Sequence, residues 1–164
     1  MIIEIKDREL HRIAITAIIY DNQGRYLITK RSPTKKAFPN KWTVPGGGLE
    51  VDDYINDTQT TASGQWYGAL ERTLRREVKE EVNVEIDKPL YLMDLTFIRP
   101  DNIPVLVLSY YAKYISGEVK LDDDAVDYKW ATLAEAKELD MIDGIWEEIE
   151  LVDKILKRQK IIKE

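Results

Sequence analysis

The chain has 164 residues, enough for one domain over 1–164 around a single core, and its 44% apolar and 33% charged residues exclude a disordered chain. The absence of cysteine removes disulfides, thiolate nucleophiles and Cys-ligated zinc, and the single histidine, His11, removes a multi-histidine metal centre. A net charge of −6 disfavours polymeric DNA or RNA as a partner, and with neither a leader-like start nor an apolar run near the roughly 18 residues of a membrane span, a cytoplasmic protein without membrane contact is expected.

Residues 12–20 (RIAITAIIY) are dense in β-branched side chains and predict a largely buried strand. Asp21-Asn22-Gln23-Gly24 is a turn signal and Arg25 to Lys30 a second strand, so the pair predicts a hairpin. Arg31 to Lys41 is a loop carrying Arg31, Lys35, Lys36 and Lys41, readable either as a phosphate-attracting rim or as solvated charge. Trp42-Thr43-Val44 is a short strand stopped by Pro45, and Gly46-Gly47-Gly48 reads as a loop able to approach a ligand closely. Residues 54–65 are polar and loop-like, with Thr61 or Ser63 as candidate N-cap of a helix from about Trp66 to Val82. Leu70, Leu74, Val78 and Val82 recur every fourth residue along that helix and mark its packing face. A short strand at 84–86, long strands from Leu90 to Ile98 and Val105 to Ile115, an acidic loop ending at Asp124 and a strand at 127–130 follow. Thr132 caps a short helix, with Glu135 completing a capping box, and a last amphipathic helix runs from about Ile145 to Ile162. The pattern is α/β.

Within the middle helix, Glu77, Glu80 and Glu81 stand at offsets i, i+3 and i+4 and so share one face. Like charges at that spacing repel, which leaves two readings: acids pointing into water, or acids gathered around a cation. Hard divalent ions take oxygen ligands, and Mg²⁺ is usually held by one or two carboxylates plus substrate phosphates. The acids adjoin the apolar face instead of opposing it, which favours the cation.

Arg76-Glu77-Val78-Lys79-Glu80-Glu81-Val82-Asn83-Val84, entered through Trp42-Thr43-Val44-Pro45-Gly46-Gly47-Gly48-Leu49-Glu50, resembles the signature of the Nudix hydrolases. The resemblance extends over about 13–139 and implies the Nudix fold, a mixed central β-sheet sandwiched between α-helices. It implies metal-dependent hydrolysis of a phosphoanhydride in a nucleoside diphosphate linked to another moiety, whether a modified nucleoside triphosphate, ADP-ribose or another nucleotide sugar, or a dinucleoside polyphosphate. Residue by residue, it implies Glu77, Glu80 and Glu81 as ligands of Mg²⁺ or Mn²⁺, with the Gly46 carbonyl as a further oxygen. Arg76 would orient the glutamates. The catalytic base would be Glu80 or an acid of the later loop, Asp124 ahead of Asp123. Many relatives are dimers, so a homodimer is also expected from the resemblance.

Two positions depart from the signature. Five residues past Gly47 stands Asp53 in place of glutamate, and 22 residues (54–75) separate it from Arg76 where the signature has seven. The box is therefore lengthened by about 15 residues, assigned to 54–68, and Asp53 is a candidate replacement for the missing glutamate. Asn83 replaces glycine at the end of the helix, a mild change because asparagine tolerates the left-handed conformation. A rival function is a non-catalytic Nudix-like module that binds a nucleotide metabolite for regulation; a prenyl-diphosphate isomerase is disfavoured because such relatives use a cysteine. Trp42, Tyr91 and Phe97 could stack on a base, but strand aromatics more often fill a core, and no base-binding residue is assigned.

Overall fold

The computed structural model describes residues 8–163. Eight strands form one mixed sheet: β1 (Arg12–Tyr20), β2 (Tyr26–Arg31), β3 (Trp42–Thr43), β4 (Gly46–Gly48), β5 (Glu85–Ile86), β6 (Leu90–Ile98), β7 (Pro104–Ser116) and β8 (Ala125–Ala131). The main order is β3-β2-β1-β7-β5, with β4 on β1, β6 on β7 and β8 on β2. β1 and β7 run parallel along all of β1, from Arg12 beside Val105 to Tyr20 beside Lys113; the other pairs are antiparallel.

Three helices cover the sheet: α1 (Ala69–Val82), α2 (Leu133–Lys137) and α3 (Ile145–Lys163). Alternation along β1 divides the core between two faces. Ile15, Ala17 and Ile19 pack with Leu74, Val78 and Val82 of α1, whereas Ile18 joins Tyr26, Tyr111 and α3 residues Ile145, Ile149 and Val152. The sheet thus lies between helices, as the resemblance implies. Thr132 and Glu135 form the expected capping box on α2.

The hairpin of β1 and β2 is paired only at Tyr20 with Tyr26. Farther from the turn the strands part, β2 pairing with β3 and β8 and β1 taking β4 as its neighbour. The Gly46-Gly47-Gly48 segment corrects the expectation of a loop: it is a strand, set on Thr16, Ile15 and Ala14 of β1. Glycine has little strand propensity, but here a side chain would not fit. A Cβ on Gly46 would strike the Ile15 carbonyl and Thr16 backbone, one on Gly47 the Glu77 carboxylate, and one on Gly48 the Arg12 guanidinium.

The start of α1 is a second correction. The helix begins at Ala69, not near Trp66, and neither Thr61 nor Ser63 caps it. Gly68 takes that position at φ 75°, and residues 54–68 are a run of turns in which Trp66 Nε1 donates to the Asp57 carbonyl at 3.0 Å and its ring lies 5.4 Å from that of Tyr54. At the other end, Asn83 adopts φ 56° and its N–H returns to the Lys79 carbonyl, so asparagine does end the helix in the left-handed conformation.

Candidate active site

α1 crosses the sheet over β4 and brings Glu77 and Glu81, one turn apart, against the glycine strand. Glu77 sits where Gly47 lacks a side chain. Glu81 Oε2 accepts from the Gly46 N–H at 2.9 Å. Burial pushes the Glu81 carboxyl up to about 8, against the Gly46 hydrogen bond, and the charges of Glu77, Asp122 and Asp124 add to the rise. Burial also raises Glu77, with the Arg76 charge opposing it. Burial is thus the main reason both glutamates hold a proton more tightly than a free carboxylate.

Arg76 is the hub of the site. Its Nη1 donates to Glu77 Oε1 and to Glu80 Oε2, each at 3.0 Å, and its Nη2 donates to the Gly48 carbonyl at 3.2 Å. Its other partner is Asp53, joined by Nε at 2.5 Å and Nη2 at 3.0 Å in a forked pair. Asp53 also accepts from Thr73 Oγ1 at 2.8 Å and from the Glu50 N–H, and its side chain is only 3% exposed against 29% for Arg76. The hydrogen bonds from Arg76 hold the Asp53 carboxyl down at about 2 despite burial. Asp53 is thus the buried carboxylate partner of the arginine, and the inserted turns leave from the residue immediately after it.

Glu80 lies at the outer edge, 56% exposed and tied to Arg76. Asp124 is placed near Glu81 electrostatically, but its Oδ2 accepts from Lys35 Nζ at 2.6 Å and its carbonyl from the Ser32 N–H. Asp122, which the sequence reading passed over, acts on Glu81 as well, and its N–H donates to the Glu81 carbonyl at 3.4 Å. Of the basic loop, Arg31 faces Glu81 and Asp124 and burial lowers its guanidinium, while Lys35 holds Asp124. Lys41 instead pairs with Asp140. Arg31 and Lys35 thus lie beside the acids, and Lys41 does not. Trp42 is core, Tyr91 is exposed, and Phe97 is half-buried against Phe38.

Among the described residues, no three carboxylate or histidine side chains are drawn together tightly enough to hold a metal ion by themselves. Glu77 and Glu81 could still hold a hard divalent ion: they supply only oxygen, adjoin the Gly46–Gly47 backbone, and match the one or two carboxylates that Mg²⁺ combines with substrate phosphate. Glu80 would join them only by leaving Arg76. For Gly46, the contact observed is its N–H to Glu81.

The NUDIX domain family model matches residues 10–152. The chain belongs to the Nudix family. It is a Nudix-type pyrophosphohydrolase acting on acid anhydrides. The chain is similar to the nucleoside triphosphatase NudI of Klebsiella pneumoniae, 24% identical over 133 residues that cover 77% of this chain and 86% of that protein. Its fold is similar to the MutT protein of Methanosarcina mazei, with TM-score 0.70, 20% identity, and 93% and 99% of the two chains covered. The NUDIX domain of Shewanella oneidensis NrtR, solved with ADP ribose, matches with TM-score 0.69 and 18% identity over 90% of each chain. No helix among the described residues is long and apolar enough to cross a membrane.

Proposed function

We propose that this Nudix hydrolase cleaves a phosphoanhydride bond in a nucleoside diphosphate linked to another moiety, with a nucleoside triphosphate as the first substrate to test. The similarity to a nucleoside triphosphatase along 86% of that relative's length supports this choice. The observation that carries the reading is the joint between α1 and the glycine strand. Glu77 rests on Gly47, Glu81 is held by Gly46, and Arg76 is locked by Asp53 beside them.

Bound Mg²⁺ or Mn²⁺ would supply neutralisation of phosphate charge. Glu77, Glu80 and Glu81, with the Gly46 carbonyl, are the residues that would hold it. Arg76 holds Glu77 and Glu80 in orientation, itself held by Asp53. Glu80 Oε2 is the proposed acceptor of the proton from the attacking water, and Asp124 Oδ2 the alternative, at present occupied by Lys35. Arg31, beside Glu81, is placed to meet a phosphate oxygen. The turns of 54–68 contribute no proposed ligand; their exposed Tyr67 and Ile55 suit a role in substrate choice or in a homodimer contact. A cytoplasmic location fits these small-molecule substrates.

The test is phosphate and nucleotide release from a panel of nucleoside triphosphates, ADP-ribose, nucleotide sugars and dinucleoside polyphosphates with Mg²⁺ or Mn²⁺. Turnover that disappears in Glu81→Gln supports the reading. Binding of ADP-ribose or a nucleotide without cleavage of any compound would overturn it in favour of a binding module, to which the complex of the similar NrtR domain with ADP ribose gives a precedent.

A further inference from the structure

Arg72 breaks a local rule. It is the fourth residue of α1, where the helix dipole favours an acid, and it stands one turn before Arg76. Nor does a side-chain cap offset it, since Gly68 opens the helix at φ 75° without a capping hydrogen bond. A cation in this place costs the helix some stability, and what it holds gives the reason for it.

The Arg72 guanidinium gathers the inserted turns from both sides. Nη1 donates to the Tyr67 carbonyl at 2.9 Å, at the end of the insertion, and Nε lies 3.0 Å from Asp57 Oδ2, near its start. The same Nε donates to the main-chain carbonyl of Asp53 at 3.3 Å. Asp53 is thus clasped by two arginines one helical turn apart, Arg72 on its carbonyl and Arg76 on its carboxylate. The turns between are themselves built. The Thr60 N–H donates to the Gln65 carbonyl at 2.7 Å and the Tyr67 N–H to Thr60 Oγ1 at 3.1 Å. Trp66 ties to the carbonyl of Asp57, whose carboxylate meets Arg72. This matters because the 15 residues 54–68 separate Asp53 from the start of α1. A connection of that length does not keep its two ends together by itself, so contacts across the gap must set where Asp53 stands.

We propose that Arg72 is a positioning residue for hydrolysis: it pins the Asp53 backbone to α1, so that the Asp53 carboxylate holds Arg76 in the pose that orients Glu77 and Glu80. This role rests on Arg76 orienting the glutamates, as in the hydrolase reading above. Without Arg72, Asp53 drifts from Arg76, and the arginine settles more closely on the acids that a metal ion would use.

The experiment is a double-mutant cycle on Arg72→Met and Asp53→Asn. It reads kcat and KM on the panel compound that the wild type turns over fastest and, without nucleotide, Mn²⁺ affinity from the electron paramagnetic resonance of free Mn²⁺, with Tm for each protein. Arg72→Met should lower kcat about fivefold or more and weaken Mn²⁺ about threefold or more, with KM within about twofold. In the Asp53→Asn background the same substitution should change kcat and Mn²⁺ affinity by less than about twofold, because its route to the glutamates is already cut. Arg72→Lys keeps the charge opposite Asp57 and one donor, holds the fold if Arg72→Met does not, and should fall between the wild type and Arg72→Met. Wild-type kcat and Mn²⁺ affinity in both Arg72 variants overturn the proposal. So do equal losses with and without Asp53, the mark of a generally loosened helix, and so does a rise in KM alone, the mark of a substrate contact. Wild-type behaviour of Asp53→Asn overturns it together with the orienting role of Arg76, whereas a loss in Asp53→Asn that the Arg72 variants do not share overturns it alone. Should no panel compound be cleaved, the hydrolase reading falls and the Mn²⁺ cycle still decides this role.

Discussion

Replacing Asp53 by asparagine removes the charge that anchors Arg76 and changes little else in shape. The carboxyl falls from an ordinary 3.8 to about 2, chiefly through hydrogen bonds from Arg76, and the Asp53 side chain is only 3% exposed. At 1.36 kcal/mol per unit, that displacement corresponds to about 2 kcal/mol of stability at neutral pH. A group with a depressed folded-state value contributes fully above the unfolded value and loses its contribution as pH falls through the folded one. The gap in stability between wild type and Asp53→Asn should therefore be about 2 kcal/mol at pH 7 and about half that at pH 3. Urea denaturation of both proteins at pH 7, 5 and 3 measures it. The same substitution frees Arg76 to settle on Glu77 and Glu80, and turnover should fall about 10–100-fold, as for other groups that orient metal ligands. A gap below about 0.5 kcal/mol at pH 7, or one that does not shrink toward pH 3, would refute the reasoning.

Burial of Glu81 predicts the opposite pH trend for the metal-free protein. Its folded-state value of about 8 exceeds the ordinary 4.5, so the folded chain holds a proton that the unfolded chain has lost, and stability should fall as pH rises from about 4.5 to 8. Glu81→Gln should flatten that slope in urea titrations, and in the wild type Mg²⁺ should reverse the loss and release protons on binding, measurable in buffers of differing ionisation enthalpy. Gly46→Ala would drive a methyl into the Ile15 and Thr16 backbone and should cost about 3 kcal/mol, whereas Gly47→Ala meets only the movable end of Glu77. The second variant should remain folded by circular dichroism yet lose Mg²⁺-dependent turnover. Deleting 55–66 while keeping Asp53 and Gly68 should alter substrate choice or assembly and leave metal affinity intact; loss of metal binding in a folded deletion refutes that assignment.

The long strands and α3 were legible because β-branched runs and apolar periodicity report burial directly. The ends of β6 in the sequence reading and in the structure coincide at Leu90 and Ile98. β4 was not legible, since three glycines carry no strand propensity and their reason for pairing is what crosses them: Glu77 over one, Arg12 over another. The start of α1 was misjudged because Thr61 and Ser63 look like caps, while the chain uses a left-handed Gly68. In the site, the spacing of Glu77, Glu80 and Glu81 gave the shared face but could not separate the buried Glu81 from the exposed, arginine-bound Glu80. Counting from Gly47 did find Asp53, and its partnership with Arg76 needed the fold.

The parallel pairing of β1 with β7 bears on how the molecule is assembled. Thr16 and Ser109, adjacent in the sheet, are 93 positions apart in the chain. Hairpins and α1 can form from near neighbours, but this central seam requires nearly a hundred residues of chain to be drawn into a loop before any contact repays the lost entropy. Folding should therefore be slow relative to helix formation, with the seam closing late. β4 rests on β1, and α1 packs over both, so Glu77 and Glu81 become neighbours of the glycine strand only when that structure stands. A metal ion that binds these residues together should thus distinguish the finished protein from its partly assembled precursors during refolding.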